Sequence, residues 1–177
     1  MALSLAAVQP PAAMFREDQR FGWWLYALLA LMMGIEWSML MGHGQALLGI
    51  ADAKTAAGTA LGIAVGLGMP ILLLVGVLRM TTVVALGEVR VWFGWIPTYR
   101  RSIPIASIRG VHVVQYRPMR DYGGWGIRQG RDGERVLNAR GNRGVRLILE
   151  DQTQILIGSQ RPEELARAIE SIRHPGL

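Results

Sequence analysis

Two apolar runs in the first half of the chain constrain its fold more than any other feature. Residues 21–41 (FGWWLYALLALMMGIEWSMLM) contain one ionisable side chain, Glu36, and residues 58–78 (GTALGIAVGLGMPILLLVGVL) contain none. Each run is 21 residues long, close to the ~20 helical residues that cross a hydrocarbon core of about 30 Å. The expectation is a membrane α-helical hairpin that carries one small domain. Its parts are a cytoplasmic N-terminal segment (1–20), transmembrane helices (21–41 and 58–78), a short outer loop (42–57) and a cytoplasmic β domain (80–174) that follows without a linker. The N-terminus, MALSLAAVQPPAA, lacks a basic stretch and is broken by Pro10 and Pro11, so the first run reads as an uncleaved signal anchor.

Once the hairpin is set aside, about 100 of the 177 residues remain, enough for a single core. The chain has no cysteine, which excludes disulfides, thiolate metal sites and a cysteine nucleophile. The net charge of +6 is uneven. Arg16, Arg20, Lys54 and Arg79 balance Glu17, Asp18, Glu36 and Asp52, so the excess lies in the domain. Eleven arginines between Arg100 and Arg146 face only Asp121, Asp132 and Glu134. Guanidinium forks suit ordered contacts with carboxylates and phosphates, although a GC-rich codon usage would produce the same bias.

The positive-inside rule orients the hairpin. Arg16 and Arg20 precede the first run, Arg79, Arg90, Arg100 and Arg101 follow the second, and the loop between carries only Lys54. Both termini are therefore expected in the cytoplasm, with a small interfacial helix near 46–50 in the outer loop. Trp23, Trp24 and Tyr26 are expected as interface anchors at the cytoplasmic head-group level, and Trp37 towards the opposite face. Gly58, Gly62 and Gly66 recur every four residues and predict a helix-packing face, with the first helix as partner. Pro70 predicts a kink below it. Glu36 is costly in hydrocarbon, so it is expected to snorkel outward or to pair with a neighbouring chain.

After Met80 the pattern changes to short strands: 81–86, 88–93, 99–103, 108–116, 124–128, 134–138, 144–149 and 154–158. Glycine, proline, Asp132-Gly133 and Asn142 punctuate them. Val89, Val91 and Phe93 alternate with Arg90 and Trp92, as a sheet with one buried face requires. From Pro162 the period becomes helical: Glu163 and Glu164 suit a helix start, and Leu165, Ala168, Ile169 and Ile172 form an apolar stripe to Arg173. The predicted fold class is thus a membrane hairpin plus an all-β small barrel or curled antiparallel sheet, capped by one C-terminal helix over 162–173.

Four segments carry a family resemblance: IPIASIR (103–109), GGWGIR (123–128), GNRGVR (141–146) and IGSQRPEEL (157–165). With two membrane helices leading directly into β hairpins, the chain resembles bacterial pleckstrin-homology-like (PH-like) membrane proteins over roughly 80–172 and the preceding spans. The resemblance implies a PH-like barrel with a capping helix. It brings no catalytic residues with it, and PH-like domains as a class bind lipid head groups, peptides or other proteins.

No catalytic, cofactor or metal site is expected. The glycines of 123–130 lack the Gly-Lys-Ser/Thr of a phosphate loop and the helix of a dinucleotide fingerprint, and suit strand bending instead. His43, His112 and His174 are too dispersed for one metal. Ser102 or Ser107 with His112 and Asp121 supplies the letters of a triad without a nucleophile elbow. Membrane tethering argues against nucleic acid as a partner. The leading expectation is a non-enzymatic, membrane-anchored scaffold, an accessory subunit of a larger membrane complex such as a photosynthetic or respiratory one. Arg100, Arg101, Arg128, Arg140, Arg143, Arg146 and Trp125 are the expected contacts to protein subunits or anionic head groups. The alternative is a stand-alone lipid- or peptide-binding module at the membrane surface.

Overall fold

The computed structural model describes residues 14–42, 53–85, 87–130 and 132–174. The expected interfacial helix at 46–50 and His43 lie outside the described residues. The first sheet runs in the order β1 (Phe15–Arg20), β2 (Arg79–Ala85), β3 (Glu88–Phe93), β4 (Tyr99–Pro104), all antiparallel. Between β1 and β2 the described residues form two helices, α1 (Trp23–Gly42) and α2 (Ala53–Gly76), which pack against each other. The hairpin is therefore an insertion between neighbouring strands, with Arg20 opposite Arg79 in register.

This corrects the expectation of a separate N-terminal segment and a domain beginning at 80. Strand β1 alternates strictly, with Phe15, Glu17 and Gln19 inward and Arg16, Asp18 and Arg20 outward. Two of its three inward residues are polar, which hides the strand from hydrophobic periodicity. Their partners lie between β9 and α4: Ser159 Oγ (2.6 Å) and the Gln160 N–H (2.8 Å) donate to the Glu17 carboxylate, and Gln19 Nε2 donates to the Gly158 carbonyl at 2.8 Å. A buried carboxylate so satisfied ties the N-terminal strand to the far end of the domain.

The second sheet comprises β5 (Ile108–Gln115), β6 (Gly126–Gln129), β7 (Arg135–Asn138), β8 (Arg143–Leu149) and β9 (Gln154–Gly158), in the order β5-β8-β9-β7-β6. A 3₁₀ turn, Ile105–Ser107, joins the sheets, and the short helix α3 (Pro118–Tyr122) precedes β6. The two sheets do not close into a barrel, and β7 pairs parallel to β9, which corrects the expectation of an all-antiparallel curl. The link from β7 to β8 passes over the end of β9, where backbones approach closely. A Cβ on Gly158 would stand 2.7 Å from Asn138 Cβ and 2.9 Å from the Tyr116 hydroxyl, and one on Gly144 would overlap the Ile157 carbonyl.

One core draws on both sheets, with Met80, Val89, Val91 and Phe93 from the first and Leu137, Val145, Leu147, Ile155 and Ile157 from the second. The C-terminal helix α4 (Pro162–Arg173) lies across both sheets. It buries Leu165, Ala168 and Ile169, with Ile172 packed beside them, as its stripe predicts. Each fully buried Leu or Ile stabilises the fold by about 1.5–3 kcal/mol in transfer terms.

Among the described residues α1 is the one helix long and apolar enough to cross a membrane by length and composition. The apolar part of α2, Ala60–Gly76, is shorter. Helix α2 stops at Gly76 rather than at 78. The Trp95 N–H donates to the Val75 carbonyl at 2.7 Å, the Thr98 hydroxyl donates to the Gly76 carbonyl, and Val77 and Leu78 turn directly into β2.

Candidate functional site

The base of the hairpin and the first sheet enclose a cleft of about 470 Å³. Its basic residues are Arg20 at the end of β1, Arg79 at the start of β2 and Arg140 in the link between β7 and β8. Its apolar wall comes from Phe21, Trp23, Tyr26, Leu74, Leu78 and Trp95. Trp95 is placed by the turn between β3 and β4. Gly94, at φ +88°, donates to the Arg79 carbonyl at 2.7 Å, while Trp95 itself is tied to α2 through Val75. A Cβ on Gly94 would overlap the Gly76 carbonyl, so only glycine fits this crossing.

Arg79 is held on two sides. Its guanidinium lies 4.3 Å from the Trp95 ring centroid, and its Nη2 is 3.0 Å from Asp18 Oδ1, which also accepts from the Thr81 hydroxyl at 2.5 Å. Partial burial pushes the Asp18 carboxyl up, but hydrogen bonds from Thr81, Arg79 and Arg16 outweigh it and leave the group below its usual range. Across the cleft, the Tyr26 hydroxyl donates to the Leu78 carbonyl at 2.8 Å. Among the described residues neither Arg20 nor Arg140 has an acidic partner. The cleft thus combines one anchored and two unneutralised guanidinium groups with an aromatic wall.

The residues singled out from sequence do not form one surface. Arg100 and Arg128 are exposed without acidic partners among the described residues, and Arg128 Nε donates to the Trp125 carbonyl at 3.1 Å. Arg101 is half-buried, with its Nε enclosed and unpartnered. Arg140 joins the cleft. Arg143 is spent on Glu163 at the start of α4. Arg146 is also engaged: its Nε lies 2.7 Å from Glu134 Oε1, and Glu134 is only 7% exposed and accepts from the Tyr122 hydroxyl at 2.6 Å. Burial, then its hydrogen bond to Glu134, pushes the Tyr122 hydroxyl pKa up to about 12, and Arg146's own hydrogen bond to Glu134 raises that guanidinium. The half-buried Trp125 donates its indole N–H to the Gly141 carbonyl at 3.1 Å. Arg146 and Trp125 are thus engaged within the domain, whereas Arg143 is exposed in a surface pair with Glu163.

Of the expected anchors, Trp23 is 79% exposed, Trp24 is exposed, and Tyr26 is the hydrogen-bonded wall of the cleft. The glycine face is corrected in part. A Cβ on Gly66 would overlap the Glu36 side chain of α1, whereas one on Gly58 or Gly62 would meet nothing within 4 Å among the described residues. Among the described residues the first helix therefore meets this glycine face at Gly66. The half-buried Glu36 side chain packs on Gly66.

The remaining motifs separate as well. Gly123 caps α3 at φ +70°, and the Gly126 N–H donates to Asn138 Oδ1 at 2.9 Å, so this glycine-rich run shapes a turn and a strand start. Asp121 accepts from the Arg117 N–H, and Ser107 donates to the Pro104 carbonyl, each within its own local turn. Among the described residues no cluster of three or more His, Asp or Glu could hold a metal. No protein-family model matches the chain, and no curated protein matches it.

Sequence reasoning missed Arg20, Arg79 and Trp95 as site residues. The signal was present, because Arg20 and Arg79 flank the two apolar runs, but it was read only as topology.

Proposed function

We propose that this protein is a non-enzymatic scaffold in a bacterial inner membrane, an accessory subunit whose PH-like domain docks on other subunits of a membrane complex. In this reading α1 and α2 both cross the bilayer, with both termini in the cytoplasm. The observation that carries it is the splice of the hairpin into the sheet. Only Phe21 and Gly22 separate β1 from α1, only Val77 and Leu78 separate α2 from β2, and the two strands are hydrogen-bonded neighbours. A domain on a flexible tether samples many orientations, whereas one whose sheet continues into the membrane helices holds a fixed height and tilt. Fixed presentation lowers the entropic cost of binding a partner that is itself confined to the bilayer.

The unneutralised arginines Arg100 and Arg128 are the docking candidates left after Arg143 and Arg146 are assigned to internal pairs. Purification in a mild detergent should recover the chain with other membrane subunits at fixed stoichiometry. The double variant Arg100→Glu, Arg128→Glu should stay in the membrane fraction and lose those subunits. Recovery of the wild-type chain alone, at the mass of one copy plus detergent, would remove the scaffold reading.

A further inference from the structure

We propose that the cleft at the base of the hairpin is a binding site for the phosphate of an anionic phospholipid head group, with an acyl chain lying along the exposed flank of the hairpin. The inference rests on the reading that the hairpin is embedded in a bilayer. It goes further in assigning a ligand class to a particular set of residues.

Three observations converge. The guanidinium groups of Arg20, Arg79 and Arg140 share one cleft yet come from β1, β2 and the β7–β8 link, so the fold gathers them from three places in the sequence. Like charges brought together this way repel, and among the described residues Asp18 is the only carboxylate that pairs with any of them. An anion of at least one negative charge completes the site, and phosphate oxygens accept forked guanidinium donors well. The rest of the lining is apolar and belongs partly to the hairpin itself, through Trp23, Tyr26 and Leu74. A ligand that matches this lining combines an anionic group with an apolar part, as a phospholipid lying against a membrane hairpin does.

Part of the site is fixed before the ligand arrives. Asp18 and Trp95 hold Arg79, the Trp95 N–H is bound to the end of α2, and Tyr26 is bound to Leu78. These residues need little further ordering on binding, and indole rings beside a helix end suit the head-group level.

Native mass spectrometry of the full chain, released from detergent micelles doped with phosphatidylglycerol or phosphatidylcholine, tests this directly. Phosphatidylglycerol should be retained and phosphatidylcholine lost. Arg20→Gln and Arg140→Gln are the informative variants, because both side chains are exposed and neither is tied to a fold-stabilising partner. Each should weaken retention about fivefold, the equivalent of the ~1 kcal/mol that a cation gains near an anionic surface. Arg109→Gln, exposed on β5 and away from the cleft, should leave retention unchanged. Equal retention of the two lipids, or indifference to both cleft variants, overturns the proposal. Displacement of phosphatidylglycerol by millimolar inorganic phosphate would mark a small-anion pocket and overturn it also. Resistance of the membrane-bound chain to alkaline extraction is measured in parallel. Release by alkali defeats the bilayer reading itself, whereas resistance with no lipid preference defeats only the head-group site.

Discussion

Leu147 on β8 and Leu72 on α2 are the same side chain under opposite rules. The first is fully buried between two sheets and a helix, and the second leaves 65% of its surface exposed. In the domain, apolar side chains face inward and arginines outward, which is the arrangement water imposes. In the hairpin, Leu31, Leu61, Val65 and Ile71 face outward and only Leu29 of α1 is buried. Helices satisfy their own backbone groups, so a hairpin can present such a surface to hydrocarbon at no hydrogen-bonding cost. In the proposed reading each half fits a different solvent, and the cleft lies where they meet, with Arg20, Arg79, Arg140 and Trp95 from the domain and Trp23, Tyr26 and Leu74 from the hairpin.

The sharpest way to break the comparison is truncation in each region. Leu147→Ala should destabilise the domain by about 2–5 kcal/mol, through lost transfer energy and a cavity that the sheets cannot close. Leu72→Ala should cost well under 1 kcal/mol, because it removes no internal contact that a lipid chain cannot replace. Urea midpoints in a fixed detergent, followed by tryptophan emission, would compare the two. Similar losses would mean that the outer face of α2 packs against something the comparison treats as solvent.

A smaller effect tests where the domain ends. Glu17→Ala strands the buried Ser159 hydroxyl and the Gln160 N–H, and should cost about 1–3 kcal/mol. It should also speed amide exchange in β2, the strand that β1 covers. Unchanged stability would return residues 15–20 to the status of an appended arm, and with it the hairpin to a simple N-terminal anchor.

The same strand shows what the sequence made legible. Strands with apolar inward positions, such as β3 with Val89, Val91 and Phe93, are found at the expected residues, as is α4 from Pro162 to Arg173. Both express a single-period pattern that needs no partner to be read. Strand β1 escaped because Glu17 and Gln19 are buried by virtue of partners some 140 residues away, which no local pattern encodes. The five-residue α3 escaped because Pro118 reads equally as a break or as a first helical position. The parallel pairing of β7 with β9 is a property of chain crossing rather than composition. Among the arginines, abundance was visible but engagement was not. Arg146 and Arg128 look alike in sequence, yet one neutralises a buried carboxylate and the other has no acidic partner among the described residues.

The smallest effect expected lies inside the hairpin, at two glycines one helical turn apart. Gly62→Ala adds a methyl group where a Cβ meets nothing within 4 Å, and alanine favours helix over glycine by about 0.5–1 kcal/mol. It should therefore be neutral or slightly stabilising to the isolated chain. Gly66→Ala places the same methyl group against the Glu36 side chain, so the gain in helix propensity is offset by displacement of a carboxylate from its seat. Because Glu36 is long and can rotate away, the penalty should stay within about 1 kcal/mol and show mainly as a change in its environment. Reaction of Glu36 with a hydrophobic carbodiimide should therefore rise in Gly66→Ala and stay at the wild-type level in Gly62→Ala. If both variants respond alike, the two helices meet along the whole glycine face and the open flank at Gly58 and Gly62 is lost. If Gly62→Ala leaves the isolated chain intact but abolishes co-purification, that flank is where another subunit's helix packs, and the outward-facing rule for the hairpin holds only until its partner arrives.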